Sequence, residues 1–175
     1  MGTVDGTRAA PPATDAFAEL YHAHFRSLTL QLCAYTGDLG YAQELAQEAF
    51  CRAFARWGTV SRYDDPVGWV RRVAWNLAAS RHRHLRSARL FLLRQREQHM
   101  PGPSPDRVVL LEALSRLPEN HRRVVVLHHL ADMSLVDIAG QEGVPIGTVK
   151  SWLHRGREAL AAQLVEAEKD REVTR

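Results

Sequence analysis

From Ser134 to Leu160 the chain reads SLVDIAGQEGVPIGTVKSWLHRGREAL, and this stretch decides the architecture of its C-terminal part. A serine hydroxyl satisfies free backbone N–H groups at a helix start, and Asp137 three residues on completes a box-like pattern, so a first helix is expected from Ser134 to about Glu142. Gly143 ends it, because glycine enters the left-handed region at little steric cost. Pro145 cannot continue a helix but fits just ahead of one, and Thr148 is placed to cap the segment that follows. Two helices around so tight a turn make a helix-turn-helix signature.

At about 100° per residue, Val149, Leu153, Gly156 and Leu160 share one face of the second helix, while Lys150, Ser151, His154 and Arg155 fall on the other. One face packs and the other is free to read. In helix-turn-helix proteins the second helix enters the major groove N-terminal end first, which makes Thr148, Lys150, Ser151, His154 and Arg155 the candidate DNA contacts. Arginine and lysine serve a guanine edge or a phosphate, and only the former carries sequence information. The competing reading, a solvated basic face on an ordinary helix, needs the cap, glycine turn, proline and amphipathic pattern all to coincide by chance.

The rest of the chain supplies a frame for this motif. Its 175 residues, 45% of them apolar, suit one domain or two small ones. The net charge of +3 conceals a lopsided distribution, since Arg71 to Arg96 holds eight arginines and two histidines without an acid. Such a block meets a polyanion, either nucleic acid or an acidic partner surface. No apolar run approaches the ~20 residues needed to span a bilayer, and nothing resembles a signal peptide, so no membrane insertion and a cytoplasmic location are expected.

Both cysteines, Cys33 and Cys51, fall in apolar helical patterns and read as buried free thiols. His22, His24, His128 and His129 form no ligand spacing with cysteines or carboxylates, so no metal is expected. With no nucleophile elbow, phosphate loop or paired-carboxylate pattern, neither enzymatic activity nor a cofactor is supported.

Along the chain, the Pro/Gly-containing residues 1–15 read as a flexible tail. A first helix opens near Asp15, with Phe17, Leu20, Tyr21, Phe25, Leu28 and Leu32 at spacings of three and four, and Gly37 to Gly40 breaks it. A second, from about Tyr41 to Trp57, lays Ala46, Phe50, Ala53 and Trp57 on one stripe and leaves Glu44, Gln47, Glu48 and Arg52 outside it. Gly58 to Pro66 is a loop, and a third helix runs from Val67 through Trp69, Val70, Val73 and Leu77 into the arginine block. The breaker cluster MPGPSP at 100–105 reads as part of an interdomain linker. A second unit begins near Asp106 with Val109, Leu110, Leu114 and Leu117, breaks at Pro118 and resumes as RRVVVLHHL. The expected fold is all-α: two small helical domains joined by a flexible linker, the C-terminal one a helix-turn-helix domain of winged-helix-like or four-helix form. The expected boundaries are a tail at 1–15, domains at 16–86 and 108–165, a linker at 87–107, and a second flexible tail at 166–175.

Three segments in order carry a family resemblance. The stretch from LPENHRRVVVLHHL at 117 through the helix-turn-helix resembles the minus-35-reading domain of bacterial RNA polymerase sigma factors of the extracytoplasmic-function group, group IV of the sigma-70 family. AQELAQEAFCRAFARW at 42–57 and DPVGWVRRVAWNLAASRHR at 65–83 resemble that group's core-binding and minus-10-reading segments. The resemblance spans about residues 16–165 and implies a promoter-specificity subunit that binds core polymerase, recognises both promoter elements and promotes melting. A stand-alone helix-turn-helix regulator accounts for the C-terminal half alone, and a decoy that occupies polymerase without initiating would need only the docking face.

The resemblance also implies roles for residues. The second helix would dock on the coiled coil of the polymerase's largest subunit through Gln47 and Glu48, with Glu44 and Arg52 nearby, and the C-terminal domain would meet the flap. At the minus-10 element the family captures unstacked bases of the non-template strand, and Trp69, Arg71, Arg72, Trp75, Asn76, Arg81 and Arg83 supply the basic and aromatic types that this requires. Asn76 matches the asparagine that holds the flipped base, and its amide both donates and accepts. The loop from Gly58 to Asp65 matches the base-selecting loop. Trp69 is in phase with the apolar face, where packing competes with stacking, and Trp75 is the better stacking candidate. Two positions depart from the pattern: Ser80 stands where the family usually carries an aspartate, and Trp152 where it often has a small or basic residue. With a flexible linker, the free chain is expected to be a monomer whose two readers cannot hold promoter spacing and which binds DNA weakly. An anti-sigma factor is a further partner that the resemblance implies.

Overall fold

The computed structural model describes residues 13–92 and 105–173, and every element among them is helical. The N-terminal unit comprises α1 (Ala13–Thr36), α2 (Leu39–Ala55), the single turn α3 (Trp57–Val60) and α4 (Pro66–Leu92). The C-terminal unit comprises α5 (Pro105–Arg116), α6 (Glu119–His129), α7 (Leu135–Glu142) and α8 (Ile146–Val173). This is the four-helix form of the two forms expected, with no strand among the described residues to make a wing.

Local chemistry sets the joints. Asp38 caps α2 by accepting the Tyr41 N–H on Oδ1 at 2.8 Å, so the break after α1 is only Gly37 and Asp38, and Gly40 lies inside α2. The expected second helix ends earlier, at Ala55, and Trp57 opens α3, which shortens the loop before α4 to residues 61–65. Asp65 accepts the Gly68 N–H at 2.7 Å, and Pro66 takes the first helical position, where its missing N–H leaves no bond unmade.

The expected boundaries shift at three places. α4 continues to Leu92 and α5 starts at Pro105, so both helices reach into the proposed linker, and residues 93–104 lie outside the described ones, as does the proposed tail up to residue 12. Residues 166–173 are helical where a fraying tail was expected. The apolar stripe of α8 explains this: Leu160, Leu164 and Ala167 recur at helical spacing and stay half-buried, and α5 packs on α8.

The two units also pack on each other. α1 packs on α2 and α4, and also on α5 and α6. One continuous buried cluster joins Leu32, Tyr35, Phe50 and Trp75 of the first unit to Leu114, Val124, Leu127 and Ile138 of the second. Two sequence runs cause it. Gln31 to Thr36 in α1 and Arg122 to Leu127 in α6 are each buried at six consecutive positions, and a helix enclosed all round needs partners on more than one side.

Candidate nucleic-acid interface

The helix-turn-helix forms as its residues dictate. Ser134 Oγ accepts the Asp137 N–H at 3.1 Å and donates to Asp137 Oδ2 at 2.6 Å, so the serine and the aspartate lock each other at the start of α7. Gly143 adopts φ +67°, a conformation that side chains resist, and turns the chain out of α7. The next helix begins at Ile146, two residues ahead of the expected cap at Thr148, whose N–H bonds to the Pro145 carbonyl at 2.9 Å. Pro145 stands just ahead of α8, its carbonyl accepting the Thr148 and Val149 N–H groups, and Thr148 sits half-buried in the first turn.

α8 then divides by face. Val149 and Leu153 are buried, and Gly156 lies so close to α6 that a Cβ there would stand 2.8 Å from Val125 Cγ2. Lys150, Ser151, His154 and Arg155 are exposed on the opposite side, with His154 Nε2 3.4 Å from Glu158 Oε1. Trp152 is half-buried at the edge of the packed face. Beneath, the α6–α7 joint is held by the buried Arg123–Glu142 ion pair at 2.8 Å and by His128 Nδ1, 3.0 Å from the Met133 carbonyl. His129 titrates below its ordinary value because partial burial, then the neighbouring His128 and Arg157, disfavour a further positive charge.

On α4 the expected contacts separate. Arg72 and Asn76 are exposed, Arg71 and Trp69 half-buried. Trp75, the expected stacking residue, is fully buried, its ring 5.1 Å from that of Tyr35 and 5.5 Å below the Arg123 guanidinium. Arg71 Nη1 donates to the Ala131 carbonyl of the second unit at 3.3 Å. The side chains of Arg81 and Arg83 lie outside the described ones. In this arrangement the Trp75 ring is enclosed by Tyr35 of its own unit and Arg123 of the other, so it presents no face on which a base could stack.

On α2, Glu44, Gln47, Glu48 and Arg52 are all exposed, and Arg52 Nε reaches Glu48 Oε1 at 2.7 Å. Phe50 is buried, as its packing assignment requires, whereas Cys51 is exposed where a buried thiol was expected. No cluster of three or more potential metal-ligating side chains occurs among the described residues, and no helix there is long and apolar enough to cross a membrane.

The residues that the sequence reading missed are those between the units. Tyr35 Oη donates to Glu119 Oε1 at 2.8 Å, Gln31 Nε2 donates to the Leu130 carbonyl at 3.2 Å, and Arg122 and Arg123 lie over the Tyr35 ring at 5.3 and 5.9 Å. Burial, reinforced by the hydrogen bond to Glu119 and its charge, holds the Tyr35 phenol far above its usual value. The available signal was a pair of arginines heading an otherwise apolar run, RRVVVL.

Comparison with known proteins follows this division. Residues 20–88 match the family described as sigma-70 region 2, and residues 107–160 match sigma-70 region 4. The chain is 32% identical to the ECF RNA polymerase sigma factor SigW of Bacillus subtilis, over 86% of this chain and 89% of that one. It is 30% identical to the ECF RNA polymerase sigma factor SigE of Mycolicibacterium smegmatis, over 89% of this chain and 63% of that protein. Its fold is similar to that of the sigma factor RpoE of Bartonella quintana, solved in complex with the anti-sigma factor NepR, with a TM-score of 0.72 at 21% identity, covering 86% of this chain and 97% of that one. Two units matched in order, and relatives matched across both, place this chain in the extracytoplasmic-function group of sigma factors, the promoter-recognising subunits of bacterial RNA polymerase.

Proposed function

We propose that α8 reads the minus-35 element through Lys150, Ser151, His154 and Arg155 with Thr148 behind them, and that α4 reads and opens the minus-10 element. The observation that carries this reading is the exposed polar and basic face of α8, presented on the far side from Val149, Leu153 and Gly156. Asn76, exposed on α4, is assigned to the extruded base, where an amide matches a base edge in both donor and acceptor. Arg71, Arg72, Arg81 and Arg83 are assigned to the backbone of the separated strand, and Trp69 to packing beside it. The Glu44, Gln47, Glu48 and Arg52 face of α2 is assigned to core polymerase, because it is polar, exposed and not needed by the core.

The chain then acts by position and not by catalysis. Two weak readers become one specific reader when polymerase fixes their separation, and melting draws on contacts to single-stranded bases without nucleotide hydrolysis by this chain. Its place of action is the cytoplasm, where promoter DNA is. An anti-sigma protein is the class of regulator assigned to it, on the precedent of the Bartonella quintana complex, whose sigma factor shares this fold.

Run-off transcription with purified core polymerase and sheared genomic DNA from the source organism tests the reading. Discrete 5′ ends that share two upstream motifs and vanish with Asn76→Ala are expected. No association with core polymerase, or no specific start where another sigma factor works, would overturn it.

A further inference from the structure

We propose that Trp152 is a phosphate contact of the minus-35 element: its indole N–H donates to a backbone oxygen on one wall of the major groove and so fixes the depth and register at which α8 sits. The proposal rests on the assignment of α8 to that element and adds a residue which the assignment does not contain. Trp152 is half-buried against the core, so it is held more firmly than the exposed side chains around it. Its Nε1 has no hydrogen-bond partner among the described residues and is not sealed from solvent, whereas the Nε1 of Trp75 is sealed. An indole with an enclosed body and an open N–H suits an interface, where the apolar part is already packed and the donor meets its acceptor only in the complex.

Angle decides which acceptor that is. At about 100° per residue, the polar arc of α8 has Ser151 near its centre, His154 and Arg155 to either side, and Lys150 and Trp152 at opposite margins. Gly156 follows ~40° beyond Trp152 and faces Val125 of α6, so Trp152 is where the open arc meets the packed face. A helix with its side chains is ~10–12 Å across and the major groove ~12 Å wide. A helix seated there turns the centre of its arc to base edges and its margins to the walls, which are the two phosphodiester strands. Lys150 meets one wall with a charge, and Trp152 meets the other with a neutral donor. Direction agrees, since helical side chains lean toward the N-terminus, the end that enters the groove. A packed ring has no freedom to swing to a base edge, but it needs none to donate to an oxygen that passes beside it.

The test uses holoenzyme and a promoter fragment mapped by run-off, with single methylphosphonate linkages, each lacking one charged oxygen, placed in turn along both strands of the minus-35 element. Trp152→Phe keeps an aromatic body and removes the donor. It is expected to weaken binding about tenfold at unchanged salt slope, because a neutral donor releases no counterion. Lys150→Ala is expected to lower the slope by about one unit instead. At one or two linkages on a single strand, methylphosphonate is expected to weaken the original holoenzyme several-fold more than the Trp152→Phe holoenzyme. This coupling is a ratio taken within each protein, so altered stability of the variant does not imitate it. Binding unchanged by Trp152→Phe, a loss coupled to no linkage, or a loss coupled instead to replacing thymine by deoxyuridine, which removes only the methyl group, would overturn the phosphate contact. Lys150→Ala and Arg155→Ala without effect on binding would strike the assignment of α8 itself, a result distinct from any of these.

Discussion

Gly156 shows how a single position binds the recognition helix to its support. A Cβ there would meet Val125 Cγ2 at 2.8 Å and the His121 carbonyl oxygen at 3.2 Å, neighbours on the buried side of α6 that have little room to retreat. Gly156→Val is therefore predicted to destabilise the protein by about 1–3 kcal/mol, read as a lower urea midpoint at unchanged slope. Tyr35 makes the second prediction at this scale. Its raised pKa means that the folded chain keeps the phenol proton while an unfolded tyrosine loses it, so the stabilisation is present below pH 10.0 and is lost as pH rises above it. In an alkaline absorbance titration Tyr35 should ionise only as the chain unfolds, and Tyr35→Phe should remove that delayed ionisation. The place of Gly156 on the packed face was legible from helical spacing. The burial of Trp75 was not, because the groups that enclose it, Tyr35 of α1 and Arg123 of α6, come from other helices and no periodicity within α4 encodes that.

Among the elements, α2 and α8 each bury one face in the core and leave the other exposed, and the exposed face is the one assigned to a partner. The Glu48–Arg52 pair is half-exposed and spaced i,i+4, so it contributes only about 0.3–0.5 kcal/mol to the fold. Glu48→Arg is predicted to leave thermal stability nearly unchanged and to weaken core polymerase binding by at least about tenfold, as measured by a pull-down titration. On α8, Lys150→Ala and Arg155→Ala are each predicted to cost about 1–3 kcal/mol in holoenzyme binding to a promoter that depends on its minus-35 element. The salt dependence of binding should fall by about one unit of slope for each phosphate contact removed, which separates backbone contacts from base contacts. Element existence was largely readable. The amphipathic stripes of α1, α2 and α4, the Ser134 cap and the Gly143 turn all named their helices, since each signal is local. Helix ends were less so: α8 runs past Glu166 because a half-buried stripe and the packing of α5 sustain it, whereas the charged composition of its last turns suggested an end.

For the whole molecule, the sequence displayed two units in the right order but not how they meet. Runs such as Gln31 to Thr36 and Arg122 to Leu127, buried at every position, are the mark of a surface with partners on several sides, and they appear ordinary until a second unit is placed against them. The central claim is that polymerase turns two separate readers into one by fixing their distance. The most direct measurement is run-off initiation from a mapped promoter in which five base pairs, about half a helical turn, are inserted between the two motifs. The account predicts that initiation falls at least about tenfold and recovers in part when the inserted length is compensated elsewhere in the spacer. Initiation indifferent to the insertion, or tight and specific binding of the chain to either motif without polymerase, would contradict it.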